Sequence, residues 1–148
     1  MNNKKLILID YDNNKIEIEK YLRDGKSYNS NGPTYSYYYS NKNKRMECWK
    51  KTVNKIKFIT FVYYYDDGSI RKIYNSKDTE IHHDCYPAII NYYKNGFIQK
   101  MQYYKNDMLH NSKGPAIIEY NEDGKIINQE FYLNGKQVDE LAILINYQ

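Results

Sequence analysis

YPAIINYYKNGFIQKMQYYKND, residues Tyr86 to Asp107, stands 28 positions ahead of GPAIIEYNEDGKIINQEFYLNG, residues Gly114 to Gly135. Set one above the other without a gap, Pro87 falls on Pro115, Ala88-Ile89-Ile90 on Ala116-Ile117-Ile118, Tyr92 on Tyr120 and Gly96 on Gly124. Ile98 then meets Ile126, Tyr103 meets Phe131, Tyr104 meets Tyr132 and Asn106 meets Asn134. Self-similarity at a fixed period of tens of residues marks tandem units, each burying its apolar side on the next.

The same step taken backwards brings ITFVYYYDDGSIRKIY (Ile59 to Tyr74) into line, with Tyr64, Gly68 and Ile70 on Tyr92, Gly96 and Ile98. The connecting segments align too. Ile81-His82 corresponds to Leu109-His110, and GKSYNSNGP (Gly25 to Pro33) to DMLHNSKGP (Asp107 to Pro115). The opening KLILIDYDNNKIEIEKYLRDG is a shortened version, and between Tyr39 and Phe58 the register slips by about two residues and the Gly-Pro signal is missing. About five units of roughly 28 residues therefore span one domain, 1–148, at approximately 5–32, 33–58 (degenerate), 59–86, 87–114 and 115–142, with a C-terminal cap at 139–148.

Each unit reads as strand, turn, strand, loop. In the last one, Ala116, Ile118 and Tyr120 fall on one side and Ile117 and Glu119 on the other, the alternation a strand requires. Turns ending in Asp67-Gly68, Asn95-Gly96 and Asp123-Gly124 accept the positive φ of tight hairpins. The second strand, Ile126 to Leu133 or Ile98 to Tyr104, is rich in β-branched and aromatic residues. A second turn at Asn134-Gly135 or Asn106-Asp107 leads into the loop, where a Gly-Pro step, Gly32-Pro33 or Gly114-Pro115, precedes the next strand. The expected fold is all-β: tandem hairpins in an elongated, twisted antiparallel meander. Only Asp139 to Tyr147 is open to a short helix, with a capping strand as the alternative.

The pattern YYxNGxIxxxxYYxNDxLHNxxGPAIIxY resembles variant MORN repeats, of the kind with a Leu-His-x-x-x-Gly-Pro-Ala linker found in giant viruses, phages and some bacteria. The resemblance spans the chain and is most specific from Gly68 to Lys136. It implies a β-hairpin repeat fold and a scaffold that binds proteins or sits at membranes, and it brings no catalytic residues.

Composition narrows the function. With 41% hydrophobic and 27% charged residues the chain is not of a disordered type, and a net charge of +4 is too mild to indicate a nucleic-acid partner by itself. Lys far above Arg, with Asn, Ile and Tyr high, fits an A+T-rich genome: a large DNA virus, a bacterium or phage, or a protist. The start MNNKKLILIDYDNN is too short in apolar residues for a signal peptide or membrane span, so an intracellular setting is expected: cytoplasm, or host cytoplasm or virion for a viral protein. Cys48 and Cys85 are expected as free thiols. The basic run Lys42, Lys44, Arg45, Lys50 and Lys51 reads as a solvated edge.

His82-His83-Asp84-Cys85 has metal-ligand residue types. Adjacent strand residues point apart, however, and His82 has counterparts in His110 and Tyr28, so His82 and His110 read as structural linker positions. Cys85 beside His83 lacks the third group that orients a catalytic base, and the acidic pairs Asp66-Asp67, Glu122-Asp123 and Asp10-Asp12 lie in turns. No catalytic, cofactor or metal site is expected.

The tyrosines are the candidate working surface. Nineteen Tyr stand against 4 Phe and 1 Trp, and Tyr37, Tyr39, Tyr63, Tyr65, Tyr92, Tyr93, Tyr103 and Tyr104 would place rings on both faces of one sheet. Tyr combines a large contact area with a polar tip and is enriched where proteins meet. The favoured expectation is a non-enzymatic scaffold for protein–protein contact, self-association included. The alternative is a single-stranded nucleic-acid binder using Tyr stacking and Lys contacts.

Overall fold

The computed structural model describes residues 3–10, 15–24, 26, 27, 29 and 31–145. Fifteen strands follow in order: β1 (Asn3–Asp10), β2 (Lys15–Arg23), β3 (Lys26–Ser27), β4 (Tyr35–Tyr38), β5 (Lys44–Val53), β6 (Ile56–Tyr64), β7 (Ile70–Lys77), β8 (Glu80–Ile81), β9 (Ile89–Tyr92), β10 (Ile98–Gln102), β11 (Tyr104–Lys105), β12 (Met108–Leu109), β13 (Ile117–Tyr120), β14 (Ile126–Leu133) and β15 (Lys136–Val138). A six-residue helix, α1 (Glu140–Ile145), follows them, which decides between the two C-terminal alternatives.

The main sheet is an antiparallel meander ordered β1-β2-β4-β5-β6-β7-β9-β10-β13-β14-β15, with β3 on β2 and β8 on β7, and it does not close on itself. The all-β meander expected from the sequence is the observed architecture. Burial agrees with one layer: the accessible surface is 10103 Å² for 17.9 kDa, against roughly 8,000 Å² for a compact protein of that mass. The fully buried apolar side chains are few. Ala88 and Ala116, with Thr34 in the corresponding place, sit where the loop enters the first strand, next to Ile89 and Ile117.

One turn geometry recurs along one margin of the sheet. Gly68, Gly96 and Gly124 donate their amides to the carbonyls of Tyr65, Tyr93 and Asn121, and each of those residues donates its own amide to the residue after the glycine. The glycines hold φ of 91, 89 and 78°, the left-handed conformation such a turn demands. Lys42 fills the same place in the turn from Tyr39 to Asn43 at φ 70°, at the steric cost of a side chain there. A bulge follows each turn, at Arg45, Arg71, Gln99 and Ile127, where the register skips one residue.

The slip between Tyr39 and Phe58 has a structural explanation. β5 runs on to Val53, the turn at Asn54 and Lys55 follows, and β6 sets out at once to pair with β5 from Val53 opposite Ile56 to Met46 opposite Tyr63. Strand pairing replaces the short return strand and loop used elsewhere. Of the basic run, Lys44, Arg45, Lys50 and Lys51 are therefore exposed on an interior strand, β5, flanked by β4 and β6 and not on an edge, and Lys42 is exposed in the turn before it.

Candidate functional site: the aromatic and cationic face of β4 to β7

Period-two alternation sorts the residues of the middle strands between a front and a back face. Tyr35 stands opposite Cys48 and Cys48 opposite Phe61, Phe61 opposite Tyr74, and Tyr63 opposite Lys72, all on the front. The rings touch: Tyr35 meets Tyr37 edge-on at 5.7 Å between centroids, Phe61 lies 6.3 Å from Tyr63 and 6.0 Å from Tyr74. Cys48 is wholly buried beneath this cluster, and burial pushes its thiol pKa up. Burial, followed by the Cys48 contact, also pushes up the Tyr35 hydroxyl, so that phenol stays neutral through the physiological range.

Cations lie over these rings. Arg45 sits 5.6 Å from the Tyr37 centroid and Arg71 5.9 Å from Tyr63, while Lys50 and Lys72 stand 5.4 and 5.9 Å from Tyr35 and Tyr74. Those distances are within cation–π range. Both arginines are bulge residues, and a bulge re-aims its side chain out of the strict alternation. β4 to β7 together hold eight lysines and arginines and a single carboxylate, Glu47. Glu47 is on the back face: its Oε2 accepts the Tyr64 hydroxyl at 2.6 Å, and its Oε1 lies 2.6 Å from Lys44 Nζ at an angle short of a hydrogen bond. The front of β4 to β7 is aromatic and cationic, and no carboxylate of those strands reaches it.

The eight tyrosines expected on a partner surface divide three ways. Tyr37 and Tyr63 belong to the front cluster. Tyr92 and Tyr103 are half-buried on the back, where burial raises their hydroxyl pKa, and Tyr104 is on β11, 3.4 Å from Gln102 Nε2. Tyr39, Tyr65 and Tyr93 open the turns and serve the fold. Their hydroxyls donate to the carbonyls of Tyr64, Tyr92 and Tyr120 at 2.9, 2.8 and 2.9 Å, each tying one turn to the next hairpin. Asn121 stands in that place in the last turn. Tyr35, Phe61, Tyr74 and Arg71 carry no distinguishing mark of their own in the sequence, where Arg45 reads only as part of a solvated basic run. The signal for Tyr35 and Phe61 was the two-residue step back from Tyr37 and Tyr63; the bulges carried none.

The His82-His83-Asp84-Cys85 run resolves into loop bracing. Asn106 N–H donates to His82 Nδ1 at 3.3 Å and Asn134 N–H to His110 Nδ1 at 3.1 Å, so each ring ties its loop to the following hairpin. His82 Nε2 lies 2.7 Å from Asp84 Oδ1, which helps hold that carboxyl below its usual range. His83 stands where Asn111 and Asn29 stand in their loops. Its Nδ1 accepts the amide two residues on, Cys85 N–H at 3.3 Å, as Asn111 accepts from Lys113 and Asn29 from Asn31. That acceptor is occupied by backbone and is not aimed at the Cys85 thiol. Gly32 and Gly114 follow those asparagines, whose amides donate to Pro33 and Pro115 carbonyls at 2.9 Å; a Cβ on Gly32 would come within 3.0 Å of Asn29 Nδ2. The counterpart Tyr28 lies outside the described residues, as does Asp12.

A shallow recess of about 100 Å³ lies beside this loop, bounded by Phe58, Thr60, Asn75, His82, His83 and Asp84. Among the described residues no group of three or more His, Cys, Asp or Glu is placed to hold a metal ion, and both cysteines are free, Cys48 buried and Cys85 exposed. No helix among those residues is long and apolar enough to cross a membrane. Compared with known proteins, the chain matches no family model, no curated protein and no solved structure.

Proposed function

We propose that the chain is a non-enzymatic repeat scaffold that engages a partner protein through the front face of β4 to β7, and that the partner presents an acidic segment. The observation carrying this reading is the pair of Arg-over-Tyr stacks, Arg45 on Tyr37 and Arg71 on Tyr63, on a face that Glu47 alone among its strands' carboxylates could have neutralised and does not. Tyr and Arg are the residue types that dominate interface energetics, and an aromatic floor with cations over it suits a carboxylate-bearing chain. The resemblance to MORN variants points to the same kind of role. Tyr-mediated self-association belongs to this reading only as copies meeting face to face.

A second reading has its own support. Arg planes and Tyr rings on adjacent strands also stack bases, and lysines track a phosphate backbone, so single-stranded nucleic acid fits the same face. Capture from extracts of the source organism decides between them, comparing wild type with an Arg45→Glu, Arg71→Glu double variant. A protein retained by wild type, lost with the variant and unaffected by nuclease supports the first reading. Retention of oligothymidylate that falls steeply with salt supports the second. Equal capture by both proteins overturns the assignment of this face.

A further inference from the structure

We infer that copies of this chain join head to tail, the outer side of β14 in one copy pairing with the outer side of β1 in the next. This goes beyond the face reading and rests on different residues. Inside the chain, successive units meet by one rule. The second strand of a unit pairs antiparallel with the first strand of the next, through Glu19 opposite Ser36, Ile73 opposite Ile90 and Met101 opposite Ile118. β14 is the last second strand, and Gln129 takes the place of Met101 there: Ile118 faces Gln129 as Ile90 faces Met101. β1 is the first first strand, and Ile7 takes the place of Ile118, facing Glu19 as Ile118 faces Gln129.

The outer side of β1 is free of strands among the described residues, and that of β14 is free from Ile126 to Glu130, where β15 has left it after pairing with Phe131 to Leu133. Ala116 N–H donates to Glu130 O at 2.8 Å, so Glu130 turns its backbone toward β13 and its neighbour Gln129 turns N–H and C=O outward. Tyr103 N–H shows the equivalent outward use, donating to Ala116 O of the next unit at 2.8 Å. By the same alternation Ile7 presents its backbone outward from β1. Open edges of this kind are templates for another strand, and neither is blunted by proline. Instead apolar residues are exposed at both, Ile7 at 42% and Ile127 at 64%.

Charge points the same way. Residues 115–142 carry six carboxylates against two lysines in a chain of net +4, while β1 carries Lys4 and Lys5 against Asp10, with Lys5 Nζ 2.8 Å from Glu19 Oε1 on β2. The joint sets Gln129 opposite Ile7, continuing the internal register from one copy into the next. Because the two surfaces differ, the contact is heterologous and grows beyond a dimer unless it closes into a ring.

Light scattering after size exclusion, over a range of concentrations, tests this. Wild type should rise from 17.9 kDa to beyond twice that mass. Gln129→Pro blocks the tail and Ile7→Pro the head, since proline removes only an outward amide there; each alone should remain a monomer with unchanged circular dichroism. Mixed, the two should form a one-to-one pair, because one intact head and one intact tail remain. Should either proline variant lose its fold, Gln129→Lys and Ile7→Lys replace it, with the same outcomes required. Wild type fixed at monomer mass, a mixture that does not pair, or association abolished by Tyr63→Ala but untouched by the edge variants would overturn the inference. The Tyr63 outcome would move self-association to the front face, so failure of this joint and failure of that face are read separately.

Discussion

Replacing Tyr93 by Phe removes one hydroxyl and leaves the ring, which makes it a clean measure of how firmly one hairpin holds the next. The hydroxyl donates to Tyr120 O at 2.9 Å, in a partly buried position 27 residues along the chain. Loss of such a bond costs about 1 kcal/mol, more when the abandoned carbonyl is shielded from water. For 148 residues the unfolding entropy is roughly 0.3 kcal/mol/K, so Tyr93→Phe should lower Tm by about 3 °C. Tyr39→Phe and Tyr65→Phe break the equivalent bonds to Tyr64 and Tyr92 and should cost similar amounts. The three sites are in different hairpins, so the triple variant should lose about 3 kcal/mol. Tyr86→Phe is the control, its side chain largely in solvent at 68% exposure. The assay is urea unfolding followed by circular dichroism. If Tyr93→Phe and Tyr86→Phe proved equally neutral, the reasoning that these hydroxyls join successive hairpins would fail.

Three other outcomes follow from the same structure. Lys42→Gly, at φ 70°, should raise stability by about 0.5–1 kcal/mol, whereas Gly96→Ala, at φ 89° with open space around it, should lower it by about 1 kcal/mol; thermal melts of the pair check both signs. Burial holds His110 and His83 below the ordinary imidazole range, so the unfolded chain binds more protons just under pH 6.5. Stability should therefore be level from about pH 6.5 up to the thiol range and fall as pH drops below about 6.5, with a shallower fall in His110→Gln, measured by denaturant midpoints across that lower window. A thiol reagent should titrate Cys85 in the native protein and reach Cys48 only in denaturant; reaction of both at the same rate would contradict the burial of Cys48 beneath the tyrosines.

Much of the architecture was legible because it rests on short-range chemistry. Alternation across Ile117 to Tyr120 and glycine at 68, 96 and 124 report backbone conformations that the residues themselves favour, and strand class and turn positions follow. The break near Trp49 was visible as a slip, but its form was not, since a strand and a braced loop between the same points differ in pairing partners rather than in local preference. The site was legible in kind only. Counting tyrosines could not separate Tyr93, whose hydroxyl is tied into the sheet, from Tyr63, whose ring lies on the front with Arg71 above it. That difference comes from position relative to a turn and a bulge. His83 shows a related limit: its counterpart Asn111 accepts the same backbone bond, a role that residue type alone does not reveal.

The account depends on each hairpin packing only on its neighbours in sequence, in one open layer. Backbone cross-strand NOEs test this most directly. They should join Cys48 with Phe61, Ile73 with Ile90 and Met101 with Ile118, and none should link β4 or β5 to β13 or β14 within one molecule. Intramolecular NOEs between those distant strands would mean a closed or two-layered sheet, in which the front of β4 to β7 is not an open face.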